Sequence, residues 1–200
     1  MKIPDDWRVA LKVIEKIEDA GYEAVIVGGA VRDFLLQREI HAVDVATSAL
    51  PEEIKEIFSQ TIDVGIEHGT VVVLDEGKPI EVTTYRTEGT YTDYRRPDEV
   101  TFVRDLSSDL ERRDFTINAM AFTKSGEIID LFGGKDDLHL GIIRAVGDAN
   151  SRFREDALRM LRAVRFSAQL GFDLEEKTLE AIQKDSDLIE FIAKERIHME

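Results

Sequence analysis

The chain has 200 residues, 43% hydrophobic and 34% charged, with a net charge of −15. That is enough apolar material for one or two domains with a real core. Zero cysteines exclude disulfides and thiolate metal sites. No run of eighteen apolar residues offers a transmembrane span, so no membrane partner is expected. The first twenty residues read as an amphipathic helix without the apolar stretch or cleavage site of a signal peptide, which leaves the cytoplasm as the default address. The acidic balance argues against a long nucleic-acid track, because affinity for phosphate backbones comes from Lys and Arg. Residues 151–166 are the exception: five Arg against two acids, a pattern suited to a charged small molecule.

Val9, Val13, Ile14 and Ile17 have helical spacing, and Gly21 is a plausible stop. An apolar strand at residues 24–27 then breaks at Gly28-Gly29. A helix-like segment (30–37) follows, and a second strand is expected at 43–45. A Gly-Gly turn at a helix start can hold phosphate: no Cβ blocks approach, and the helix N-terminus favours negative charge. It is equally readable as an ordinary strand–helix turn. Asp44 sits on the second strand beside the turn, where a divalent ion between carboxylate and phosphate would make chemical sense.

Pro51, Glu52 and Glu53 mark the start of a helix running to Phe58. Three strands are expected at 61–66, 71–74 and 80–85, the last two joined by a hairpin turn at 75–78. Glu81 and Thr83 share one face of the third strand. Residues 86–99 (RTEGTYTDYRRPDE) lack any period and read either as a mobile functional loop or as plain surface. Residues 105–116 read as a loop with short helices. A hairpin around Ser125-Gly126 and a strand at 142–146 follow, with a domain boundary near Gly147. Beyond it the pattern becomes helical. Phe153, Ala157, Met160, Leu161, Val164 and Ala168 form an apolar stripe ended by Gly171, and further helices are expected at 175–184 and 192–200. The last of these stops without a C-terminal signal, so the chain reads as a piece of something longer.

Arg112 and Arg113 beside Asp114 suggest anion contacts, since an Arg fork donates two hydrogen bonds to phosphate; taken alone, such a cluster is more often a solvated ion-pair group. Asp156 and Arg159, three apart, are expected on one helix face, where an acceptor and a fork donor could read a base edge. An isolated pair of this kind is usually a surface ion pair of little worth.

GGAVRD (28–33) with VDVATS (43–48), RRDFTINAM (112–120), DLFGG (130–134) and EDALR (155–159) together resemble the signatures of the class II tRNA nucleotidyltransferases, the CCA-adding enzymes, a family that also contains bacterial poly(A) polymerases. The resemblance covers about residues 22–170. It implies an α+β polymerase-β-like nucleotidyltransferase head, a mixed sheet flanked by helices, over 1–146, followed by an all-helical neck over 147–200, truncated in the sense that an RNA-gripping body would lie after Glu200. It implies template-independent transfer of CMP and AMP from CTP and ATP to the tRNA 3′ end, with Mg²⁺ in a two-metal site.

By the same resemblance Asp44 and Glu81 are catalytic, metal-binding carboxylates. Gly28, Gly29, Arg32, Asp33, Arg112, Arg113, Asp114, Asn118, Asp156, Arg159, Arg162 and Arg165 bind nucleotide, with Asp156 and Arg159 reading the base. DLFGG with Asp137-Leu138 resembles a hinge between head and neck. The family's Asp-x-Asp departs at one position: its first aspartate falls at Ala42. Residues i and i+2 of a strand point the same way, so only position 42 has the geometry of the third carboxylate; His41 faces away. Ala42 marks either a naturally degenerate member or a disabling change that traps a substrate complex. Glu81 pairing with Arg86 or Arg32 is the plainer alternative to a metal role. Residues 62–73 look like the CCA-adding type and lack the Arg-Arg-Phe run associated with bacterial poly(A) polymerases. The 86–99 loop, with Arg95-Arg96-Pro97, resembles that of enzymes that add the terminal A. Poly(A) synthesis, CC-only or A-only addition, and a non-catalytic nucleotide- or tRNA-binding module remain as alternatives.

Overall fold

A computed structural model describes residues 4, 7–40, 42–89, 91, 94, 97 and 99–200. Helix α1 (Trp7–Asp19) buries Val9, Val13, Ile14 and Ile17 as the spacing predicts, together with Trp7 and Ala10. Trp7 meets Phe34 and Phe122 at ring-centroid distances of 4.8 Å each. Strand β1 (Ala24–Val27) leads through Gly28 into α2 (Gly29–Leu35), and β2 (Asp44–Thr47) returns antiparallel to β1. Helix α3 (Pro51–Ile57) begins at the predicted proline, with Glu53 accepting the Leu50 N–H at 2.6 Å.

Strands β3 (Thr61–Gly65), β4 (Thr70–Asp75) and β5 (Lys78–Thr84) follow. Asp75 pairs with Lys78 across a two-residue turn at Glu76-Gly77, both with positive φ, as a tight hairpin requires. Residues 86–99 are not wholly loop. Arg86–Glu88 is a strand, β6, laddered to β7 (Val100–Phe102); the pairing partner lies beyond the segment, so no local period announces it. The Arg95-Arg96 element and His41 lie outside the described residues.

Helix α4 (Leu106–Glu111) starts at Asp105, whose carboxylate accepts the Ser108 N–H at 2.9 Å. A 3-10 turn (Thr116–Asn118) precedes β8 (Met120–Phe122) and β9 (Ile128–Asp130). Seven strands form one mixed sheet in the order β3-β4-β5-β2-β1-β8-β9, with β2 and β5 parallel and the other neighbours antiparallel. One face packs on α1 through Ile26, Val45, Val71 and Val82. On the other face Val25, Val27, Ala46, Tyr85 and Ala121 meet Leu106 and Leu110 of α4.

A short helix absent from the sequence reading, α5 (Gly134–Leu140), follows, and the strand expected at 142–146 is only β10 (Ile142–Ile143). The apolar stripe on 153–168 is interrupted. Helix α6 (Ala149–Glu155) and helix α7 (Leu158–Leu170) are separated at Asp156, whose backbone is extended and whose carboxylate accepts the Leu158 N–H at 3.0 Å. The break resets the helical phase. Ala163 and Phe166 are buried, while Val164 and Ala168 are exposed. The segment after Gly147 is therefore helical but not wholly so: β11 (Asp173–Leu174) pairs in parallel with β10 before α8 (Glu176–Asp185) and α9 (Lys194–Met199). Among the described residues no helix is long and apolar enough to cross a membrane.

Candidate active site

The Gly28 backbone has φ 74° and ψ −142°, a region essentially reserved for glycine. A Cβ there would stand 3.3 Å from Nη1 of Arg113, and one on Gly29 would stand 3.4 Å from Nη2 of Arg32. The glycine pair thus lets two guanidinium groups close on the turn. Asp44 opens β2 directly across from Val27, and Glu81 is its register partner on parallel β5. The two carboxylates stand side by side on the exposed middle of the sheet face that α4 covers further along. Partial desolvation lifts the Asp44 carboxyl above its ordinary range, and the Arg113 charge opposes it.

Neither Arg32 nor Arg86 pairs with Glu81. Arg32 donates to both oxygens of Asp33 (2.9 and 3.0 Å) and to Oδ1 of Asn118 (2.9 Å). Arg86 serves Glu88 at 2.9 Å and the His68 carbonyl. Ala42 lines the same cavity as Asp44 and Glu81 and offers no donor. Among the described residues no cluster of three or more acidic or histidine side chains could hold a metal. Two carboxylates with water and substrate phosphate suit one Mg²⁺, so the pair present fits one ion better than two.

Arg112 and Arg113 are delivered by the C-terminal end of α4. Asp109, 1% exposed, accepts from Arg112 Nε and Nη2 (3.0 and 2.9 Å), from Arg113 Nη2 (3.1 Å) and from the Arg86 N–H (3.3 Å). Glu88 accepts from Arg112 Nη1 at 3.0 Å and from the Tyr91 hydroxyl. Burial pushes both acids up, but the charge of Arg112 and its neighbours outweighs it and holds them below the usual carboxylate range. The ion-pair reading of Arg112 and Arg113 is therefore true as far as it goes. Both also line a cleft between the sheet domain and α7, as two joined cavities of about 430 and 380 Å³.

Asp156 and Arg159 line both cavities, although Asp156 stands outside α7 and the two do not share a helix face as predicted. Arg159 is buried and fixed by Glu155 (2.6 Å), the Arg152 carbonyl (3.2 Å) and the Arg112 carbonyl (3.0 Å). Arg162 reaches Asp114. Arg165 is turned to Glu200 at 2.6 Å and lies over the Phe166 ring, 4.4 Å from its centroid, with Arg32 at 5.0 Å and Arg162 at 5.3 Å. Asp33, Arg32, Asn118 and Arg165 do not line these two cavities and direct polar atoms to protein partners. Arg196 and Glu200 of the last helix join the lining and were not expected; the only trace of them in sequence is an i,i+4 charge pair. Asp109 and Glu88 were missed too, because an acid's burial between arginines is a tertiary fact.

Residues 24–144 match the family described as the poly A polymerase head domain. The chain belongs to that family. Residues 171–200 match a second one, the probable RNA and SrmB-binding site of polymerase A. The chain is 62% identical over 198 residues to the CCA-adding enzyme of Ligilactobacillus salivarius (strain UCC118), covering 99% of this chain and 49% of that protein. It is 61% identical to that of Enterococcus faecalis (strain ATCC 700802 / V583), with the same coverage. The fold matches the crystal structure of the Bacillus stearothermophilus CCA-adding enzyme in complex with CTP, with TM-score 0.91 and 52% identity over 98% of this chain and 48% of that one. It also matches the Thermotoga maritima CCA-adding enzyme complexed with tRNA, with TM-score 0.78 and 25% identity over 99% of this chain and 46% of that one. The chain spans about half the length of the curated relatives it matches.

Proposed function

We propose that this chain is the nucleotide-handling part of a nucleotidyltransferase that adds CMP and AMP, from CTP and ATP, to the 3′ end of tRNA. The observation that carries the reading is the adjacency of Asp44 and Glu81 on parallel strands, within reach of the charge of Arg113, which also lines the arginine-rich cleft and closes on the Gly28 turn. Positioning and charge neutralisation are what phosphoryl transfer asks of a protein. Arg112 and Arg113 offer cationic forks to a triphosphate. Asp156 and Arg159, at the far wall, offer an acceptor and a donor to a base edge. Asp44 and Glu81 are the residues that would hold Mg²⁺, which when bound supplies charge neutralisation at the reacting phosphate. The named relatives support the CCA-adding type over poly(A) synthesis. Division near Gly147 and a cytoplasmic setting belong to the same proposal.

Ala42 favours a second reading, a nucleotide-binding form that turns over slowly or not at all. Equilibrium binding of the four ribonucleoside triphosphates with Mg²⁺ tests the shared part of both. CTP and ATP are expected to bind about tenfold more tightly than UTP and GTP, and Asp156→Ala or Arg159→Ala to erase that preference while leaving triphosphate affinity largely intact. Equal binding of all four by the unaltered chain would contradict it.

A further inference from the structure

Phe166 is a buried side chain of α7, 5% exposed, in a charged setting. The guanidinium carbons of Arg165, Arg32 and Arg162 lie over its ring, at 4.4, 5.0 and 5.3 Å from the centroid. Among the described residues, no other ring carries more than one cation. Phe115 meets this ring edge-on, at 5.9 Å and 84°. Each arginine also has an acid of its own: Asp33 for Arg32, Asp114 for Arg162 and Glu200 for Arg165. Three like charges gathered on one ring repel one another, and the negative face of the π-system offsets that repulsion where water is excluded.

The three cations come from two parts of the molecule. Arg32 belongs to α2, and its Nη2 would stand 3.4 Å from a Cβ on Gly29, so it braces the glycine turn. Arg162 and Arg165 belong to α7. Arg162 lies four residues before Phe166, on the same helix face, and lines the cleft beside Arg112 and Arg113. It spends Nε and Nη2 on Asp114. Its Nη1 is 3.9 Å from Glu200, which Arg165 already holds at 2.6 Å. A ring that attracts the Arg162 guanidinium keeps it from closing on this second acid and leaves Nη1 for a ligand. Resting on the transferase reading above, we propose that Phe166 is a positioning residue for the triphosphate. Its ring holds Arg162 toward the cleft and Arg32 against the glycine turn, so that the two elements that face phosphate keep one spacing. The ring acts through its electrons as well as its volume.

The test replaces Phe166 by phenylalanines bearing one, two and three ring fluorines, which keep the shape and drain the negative face step by step. Binding of CTP, UTP and inorganic tripolyphosphate is measured with Mg²⁺ for each form. All three dissociation constants are expected to rise with each fluorine, to about fivefold for the trifluoro ring. The preference for CTP over UTP is expected to stay as it is, since Arg159 is not among the ring's cations. Phe166→Leu, which stays apolar and loses the face altogether, is expected to weaken binding at least as far as the trifluoro ring. A flat fluorine series, or a loss seen in Phe166→Leu alone, would show a ring that only packs and would overturn the proposal, with the transferase reading left standing. A loss confined to CTP would place the effect at the base and overturn it too. Failure of the unaltered chain to bind CTP would overturn both.

Discussion

Arg162 of α7 donates from Nε and Nη2 to one oxygen of Asp114, at 2.8 and 2.7 Å, while the other oxygen accepts from the Phe115 N–H at 2.8 Å and from Asn118 at 3.2 Å. Asn118 in turn accepts from Arg32, so one chain of hydrogen bonds runs from the Gly-Gly helix to the helical segment. Burial pushes Asp114 up, but the Arg162 charge and these bonds prevail and hold it below the usual range. A depressed acid contributes stability that is fully present above its unfolded pKa and lost as pH falls through its folded one. Asp114→Asn is therefore expected to cost about 3 kcal/mol at pH 7, the low end for breaking a buried pair because Arg162 is partly exposed. The gap should narrow below about pH 4. Chemical denaturation of both forms at pH 7 and pH 3.5 checks this; a pH-independent difference would contradict it.

Gly134 makes room for the 3-10 turn that precedes β8. A Cβ at this position would meet the Thr116 carbonyl oxygen at 2.4 Å and Met120 at 3.0 Å. Asp130 accepts the N–H groups of Gly134 and Lys135 (2.8 and 2.9 Å), and Thr116 donates to Asp137 at 2.6 Å, so the helix cannot back away freely. Gly134→Ala is expected to destabilise the fold by about 2 kcal/mol through overpacking. A thermal melt within a degree of the unaltered chain would show that the joint is looser than it looks. The hinge implied by DLFGG is, in this structure, a closely packed joint.

Glu88 ties the base of the 86–99 segment to the arginine platform by accepting from Arg86, Arg112 and Tyr91. Removing its charge leaves Asp109 as the one anionic partner of Arg112 among the described residues. Glu88→Gln is expected to raise the dissociation constant of CTP and ATP alike by about threefold to tenfold, without changing the preference between them. A change confined to one nucleotide would place Glu88 at the base rather than behind the phosphates.

Much of the fold could be read from periodicity and punctuation. Val9, Val13, Ile14 and Ile17 announce α1, Pro51 and the acids after it announce α3, and Glu76-Gly77 announces the β4–β5 turn. What stayed hidden has a physical cause in each case. Helix α5 carries three charges and a histidine among seven residues, too few apolar positions to show a period. Strands β6 and β7 exist through partners twelve to sixteen residues away. The helix running through 153–168 is broken by an aspartate that caps the next segment with its own side chain. In the site, Asp44, Glu81 and the two arginines are legible because the motif places them. Asp109, Glu88 and Arg196 acquire a role only when α4, β6 and α9 converge.

Ala42 bears most directly on the central claim. It lies two residues before Asp44, just outside β2, in the lining of the same cavity, where a carboxylate would add a third acid to Asp44 and Glu81. The decisive measurement is incorporation of labelled CTP and ATP onto tRNA lacking its 3′ CCA, with Mg²⁺, by the chain as it stands and by Ala42→Asp. Both forms are expected to bind CTP, the unaltered chain to add little or nothing, and Ala42→Asp to switch on addition that stops after C-C-A. No addition by Ala42→Asp, with CTP still bound by both forms, would contradict the transferase reading and leave a nucleotide-binding module in its place.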